Sequence, residues 1–437
     1  MRLRLHTWNR LTYRGQRSRL RGNVQSPPNP RRPAAHALLC GFTALVVCGL
    51  AVTAVLMPHG AQLSALVRMS HTDGMATIAQ RVDPSFVFVP PGSHTDGTYY
   101  YAIALDPFAR GEPHTLIDEA AYRYGHPVYG WLAGILSLGN AAVLPRSLVT
   151  LALLGAAAAA IAVSLIAREA GWSPWYGLLV AFSPGVIICV IQDLAEPVGI
   201  AFAAFGLLFW YRGRLVPSAV LFVAASLTKE ELVLVPVALA IWHGVELLRG
   251  RAPDRVVGRV AAVAAGPAAL VAWYAYVHID LGMWPTQTGT SRFGLPFVGW
   301  IDTFNTAGAF ITGDFATAQL GTFMVPILAI TATALLLGAA RAARLRSPLD
   351  AIFLLFVAFA AFLNWWTLLF PKDLVRTLLV PLLLLPAVYA THHAVQGSVR
   401  RRNAVAADDD RAPRSSAIRI QQPHQEHGDK SAGSTVS

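Results

Sequence analysis

The chain has 437 residues, 54% of them hydrophobic and only 14% charged, with a formal net charge of +11. So few polar groups cannot cover a soluble globule of this size, and the apolar residues come in long blocks, so the chain reads as an integral membrane protein. The positive charge does not point to nucleic acid, because the basic residues gather in two tails and in alternate gaps between the blocks, which is the pattern of membrane topology.

In chain order, residues 1–35 are rich in Arg, Pro and Asn with no apolar period, predicting a disordered basic tail on the cytoplasmic side. A span needs roughly 20 mostly apolar residues. Ten candidates follow, at 36–57, 147–167, 174–191, 197–211, 215–228, 232–248, 256–279, 319–338, 350–370 and 374–391. The fold class expected is therefore all-α, a polytopic bundle of about ten spans occupying 36–395. The first block shows no clear cleavage signal and is read as a retained anchor. Cys40, Cys48 and Cys189 all fall in these blocks, giving neither a disulfide framework nor a metal motif. Residues 396–437 are polar, with Asp408-Asp409-Asp410 amid Arg and Ser, and are read as a second disordered cytoplasmic tail.

Two long segments, 58–146 and 280–318, are left between spans. With the stretch His126–Leu144 lying along the interface, 26 of the 35 basic residues fall on the cytoplasmic side. If that stretch crossed, 17 basic residues after it would lie outside and 5 inside. The interfacial reading follows from the positive-inside rule, placing both termini in the cytoplasm and both long segments outside it.

Carboxylates collect in the external gaps. The first long segment holds two copies of one motif, Ser70-His71-Thr72-Asp73-Gly74 and Ser93-His94-Thr95-Asp96-Gly97, read as a small duplication rather than twin sites. Pro90-Pro91-Gly92 breaks regular structure before the second copy, and Tyr99–Leu105 predicts a short helix with Asp96 near its start. Asp96 is either a base facing substrate or a helix cap, since Thr-Asp-Gly is ordinary turn chemistry. Arg123, between Tyr122 and Tyr124, is either an anion ligand or an interfacial anchor. Glu196-Pro197 begins a span, where a helix dipole would stabilise the carboxylate anyway. Lys229-Glu230-Glu231 has no loop to spare, so at least one of these charges lies at membrane depth or at the interface. Lys372-Asp373 and Arg376 offer the same choice with less prospect of contact. His71, His94, His114 and His126 have no metal-site spacing.

Asp96-Gly97 with Tyr99-Tyr100, then Ala104-Leu105-Asp106-Pro107-Phe108, then Tyr122-Arg123-Tyr124-Gly125-His126-Pro127 resembles the first external loop and juxtamembrane helix of the C-type membrane glycosyltransferases. Ala195-Glu196-Pro197 and Leu227-Thr228-Lys229-Glu230 are similar to features at matching places, so the likeness covers about residues 36–250. It implies an inverting transferase of the inner (plasma) membrane that takes a sugar, mannose or arabinose, from a polyprenyl-phosphate donor. Asp96 would be the catalytic base, with Tyr99, Tyr100, Arg123, Glu196 and Lys229 binding substrate. The acceptor would be a glycan, lipid or protein, covered by 280–318 with Trp284 and Trp300. No cofactor is required; a divalent cation, Mg²⁺ or Mn²⁺, is left open. Membrane lipids are the other partner, and no nucleic acid is expected. The rival readings are a transporter or flippase of lipid-linked saccharides, with charges near midplane and paired broken helices, and a non-catalytic membrane scaffold.

Overall fold

The computed structural model describes residues 32–251, 255–287 and 293–390, all within one compact unit. The two tails expected from the sequence lie outside these residues, apart from the start of the first helix. The named elements are all helical. The helices that frame the bundle and its site are α1 (Arg32–Leu56), α2 (Gly97–Leu105), α3 (Ala120–Arg123), α4 (Val128–Leu136), α5 (Leu144–Glu169), α6 (Glu196–Tyr211) and α7 (Leu215–Thr228). They continue as α8 (Leu234–Leu248), α9 (Val256–Leu281), α10 (Val298–Phe310), α11 (Phe315–Ala342), α12 (Pro348–Ala361), α13 (Pro371–Thr377) and α14 (Leu379–Ala390).

Among the described residues five helical stretches are long and apolar enough to cross a bilayer: α1, α5, α8 taken with the turn before it (Glu230–Leu248, 19 residues), α9 and α11. A sixth is counted if α13 and α14, bent by 58° at their junction, form one broken span. The expected count of about ten is not confirmed by this measure. Helices α6, α7 and α12 have 16, 14 and 14 residues and rise only about 21–24 Å, short of a hydrocarbon core of about 30 Å. The block at 174–191 is broken at Ser183, which is extended before Pro184, as a residue preceding proline prefers. The block at 350–370 leaves helix after Ala361. Apolar content counts residues and does not register these backbone breaks.

Helix α5 packs against α1 and α6, α6 against α7, and α7 against α9. The contact face of α5 is built from buried Ala152, Ala156 and Ala160. Small residues allow close approach, which matters where lipid removes most of the hydrophobic drive between helices. The three cysteines are free and buried, consistent with packing.

The segment between α1 and α5 folds over one end of this bundle. Helix α4 has nine residues, about 14 Å, and does not cross. Buried polar ties fix the segment in place. The Tyr124 hydroxyl donates to the Asp106 carbonyl (2.7 Å), Trp131 Nε1 to Pro107 (2.8 Å) and Trp273 Nε1, on α9, to Tyr124 (2.7 Å). Satisfied partners of this kind are what burying such groups requires. Asp106 also accepts from the amides of Arg110 and Gly111, the turn-shaping role its place before proline suggests.

Candidate functional site

At this end of the bundle a polar cavity of about 550 Å³ opens between the α1–α5 segment and the α12–α13 region. Asp96 lies on its wall as the residue before α2, yet its side chain makes no helix-capping hydrogen bond. Each carboxylate oxygen meets a guanidinium instead. Arg123 Nη1 donates to Oδ1 at 3.1 Å, and Arg376 Nη2, from α13, contacts Oδ2. Arg376 also donates from Nε to Glu196 Oε1 at 2.6 Å. One arginine therefore joins two carboxylates about a hundred residues apart in sequence.

Gly97 makes this corner possible. A Cβ there would stand 2.7 Å from the Val67 carbonyl oxygen and 2.9 Å from that of Gln192, too close for any other residue without backbone movement. The close approach seats the start of α2 against the turn leading into α6, bringing Asp96 beside Glu196.

Arg123 is buried. Its guanidinium lies 3.6 Å from the centre of the Tyr99 ring and 5.3 Å from that of Tyr122, and Nη2 also reaches Asp118 at 3.4 Å. Burial opposes its charge, but the carboxylates of Asp96 and Asp118 outweigh burial and raise its pKa. Burial likewise raises that of Tyr99, so the phenol stays neutral beneath the cation.

The two copies of the repeated motif meet here. Asp73 Oδ1 of the first lies 3.2 Å from His94 Nδ1 of the second, and His94 Nε2 lies 3.3 Å from the Tyr99 hydroxyl. With Nδ1 protonated toward Asp73, Nε2 accepts from Tyr99. His94, Thr95, Asp96, Tyr99 and Arg123 all face the cavity.

Of the residues singled out in sequence, Asp96, Tyr99 and Arg123 face the cavity, and Glu196 lies behind Asp96 on the shared arginine. Tyr100 is fully buried, with a hydroxyl that has no hydrogen-bond partner. Lys229 is buried beside Glu230 and Glu231 and does not line the cavity. Glu230 accepts from the Tyr122 hydroxyl at 3.0 Å, and its other oxygen lies 3.2 Å from His126 Nδ1. Burial brings the His126 imidazole down to about 4, leaving it neutral. Asp193 is wholly buried with neither carboxylate oxygen hydrogen-bonded, and burial pushes its pKa well up.

Sequence reasoning gave Arg376 little weight, though Lys372, Asp373 and Arg376 together line the cavity. The signal available was a charged run inside an apolar stretch. Another part of the wall was missed altogether. It is Asn364-Trp365-Trp366-Thr367, read from hydropathy as span interior. Trp300 and Trp284 do not reach the cavity. Trp300 is buried, donating to the Ala360 carbonyl at 2.8 Å, and Trp284 stacks on His278. Among the described residues no group of three His, Cys, Asp or Glu side chains is placed to hold a metal ion. No protein-family model matches this chain, and no curated protein sequence matches it.

Proposed function

We propose that this protein is a membrane glycosyltransferase of the C type, moving a sugar from a polyprenyl-phosphate donor to an acceptor hydroxyl with inversion. One observation carries the reading. A carboxylate shared by two arginines stands on the wall of a polar cavity in an otherwise apolar helical bundle, and such charges are costly in a membrane protein unless function retains them.

The chemistry asks for one base and cations for a departing phosphate. Asp96 takes the acceptor proton, the acceptor oxygen bonds to C1 of the sugar, and the C1–O bond to phosphate breaks with its electron pair leaving on polyprenyl phosphate. A phosphate leaving group needs no strong general acid, so one carboxylate suffices where glycosidases use two. Arg123 and Arg376, both planar forks suited to phosphate oxygens, take the place expected of Lys229, with Lys372 a third cation on the wall. In the resting site both guanidiniums hold Asp96. The donor phosphate competes for them and frees the carboxylate as substrate arrives. Lys229, behind Glu196, balances buried negative charge.

The distribution of arginines supports an extracytoplasmic position for this cavity at the plasma membrane, with both termini cytoplasmic. Mannose or arabinose as the sugar, and a glycan, lipid or protein acceptor, follow from the family likeness, as does the absence of a required cofactor.

A second reading, transport of a lipid-linked saccharide, draws on the ionisable groups that continue inward behind the cavity at Glu196, Lys229 and Glu230. The two differ at Asp96. Release of polyprenyl phosphate from polyprenyl-phosphate sugars is measured with native protein and with Asp96→Asn, in the presence of a cell-envelope acceptor extract. A fall of at least about 100-fold is expected for loss of a general base. Equal rates in the two proteins would remove Asp96 from the chemistry.

A further inference from the structure

The cavity wall formed by Asn364-Trp365-Trp366-Thr367 is built with more care than a membrane-interface loop needs. After α12 ends at Ala361 the chain makes one helical turn, Trp365–Leu368, before α13. Asn364 Oδ1 caps that turn, accepting from the amides of Trp366 (3.1 Å) and Thr367 (3.3 Å). Helix α10 clamps it from behind. A Cβ on Gly299 would lie 2.1 Å from the Leu363 carbonyl oxygen, and Thr303 Oγ1 donates to the Trp365 carbonyl at 3.3 Å.

The result is a fixed aromatic corner. The indoles of Trp365 and Trp366 stand 5.1 Å apart at 86°, and Phe370 braces Trp366 at 5.9 Å and 87°. Both indoles line the polar cavity, and they remain 37% and 59% exposed. Large apolar rings on the wall of a hydrophilic cavity that Thr367, Gln192, Arg123 and Arg376 also line match a ligand that is apolar on one face and hydroxylated at its edges. A sugar ring has that character. Its C–H face stacks on an indole while its hydroxyls reach polar side chains.

We propose that Trp365 and Trp366 form a sugar-ring subsite, with Thr367 and Gln192 as hydroxyl partners. This rests on the transferase reading and adds to it the surface that holds the saccharide, in place of the Trp284 and Trp300 region. The ring belongs either to the donor or to the acceptor. In both cases the corner sets its orientation toward Asp96, so Trp365 and Trp366 are positioning and specificity residues.

The test is direct binding to full-length protein in detergent, read without turnover. The probes are polyprenyl-phosphate mannose, polyprenyl-phosphate arabinose, sugar-free polyprenyl phosphate and a short mannose oligosaccharide. Trp366→Ala is compared with Trp366→Phe and native protein, each checked for an unchanged thermal unfolding midpoint, with Trp365→Ala as a second variant. Trp366→Ala is expected to weaken a sugar-bearing probe at least tenfold and sugar-free polyprenyl phosphate less than twofold, with Trp366→Phe recovering most of the loss. Loss confined to the lipid-linked sugars assigns the ring to the donor, and loss confined to the oligosaccharide assigns it to the acceptor. Equal weakening of sugar-free polyprenyl phosphate would make the corner an isoprenoid seat and overturn the proposal. So would unchanged binding of every probe, the behaviour of an interfacial anchor. If native protein binds the sugar-bearing probes through the corner yet releases no polyprenyl phosphate, the reaction reading fails and the subsite stands.

Discussion

Arg376 is the residue on which the site turns, because it serves Asp96 and Glu196 at once. Glu196 is buried and its Oε2 has no hydrogen-bond partner, so its charge depends first on this guanidinium and then on Lys229. Replacing Arg376 by Gln strands a buried carboxylate, and breaking a buried pair from one side costs about 3–5 kcal/mol. Arg376→Lys keeps the charge but cannot fork to two carboxylates, so its loss should be smaller. Denaturant unfolding of the purified proteins is expected to rank native above Lys above Gln. A Gln variant as stable as native protein would mean that Glu196 does not need the arginine. The sequence showed Asp96, Tyr99 and Arg123 as a cluster because all three lie in one segment. It could not show that a charge 280 positions further on reaches the same carboxylate, since that contact is made only by folding.

At the scale of elements, the register of α2 against the turn before α6 fixes the corner, and Gly97 sets that register. Gly97→Ala places a methyl within 3 Å of two backbone carbonyl oxygens. Neither neighbour is a flexible side chain, so backbone must shift, and overpacking of this kind costs about 1–3 kcal/mol. The expected outcome is a lower unfolding midpoint together with at least a tenfold loss of polyprenyl phosphate release, because Asp96 moves relative to Arg376. Full activity in Gly97→Ala would show that the corner tolerates displacement. Helix existence was legible from apolar blocks, and the short helix after Asp96 was legible from the Pro90-Pro91-Gly92 break. Span length was not legible. The α12 block ran on to residue 370 on composition, whereas the chain turns at Asn364 to present two tryptophans to a cavity. An indole counts as apolar whether it faces lipid or saccharide.

For the whole molecule, stability should depend on pH through His126. Its folded pKa, about 4, lies below the ordinary value of 6.5, so the unfolded chain binds the proton first and stability falls as pH drops through that window. The shift corresponds to about 3 kcal/mol at most, shared with Glu230 and Lys229, which face the ring. Thermal unfolding in detergent should therefore be flat above about pH 7 and decline toward pH 5, with His126→Gln showing a shallower decline. A native midpoint constant from pH 7 to 5 would contradict a buried neutral imidazole. The central claim is that this bundle breaks the bond between sugar and lipid phosphate rather than carrying the intact lipid across the bilayer. It is tested most directly by following a polyprenyl-phosphate sugar labelled separately in its sugar and its lipid, with native protein in sealed proteoliposomes and acceptor extract on one side. Separation of the labels is predicted, with sugar recovered on acceptor and lipid as polyprenyl phosphate; labels that stay together and change leaflet together would contradict the account.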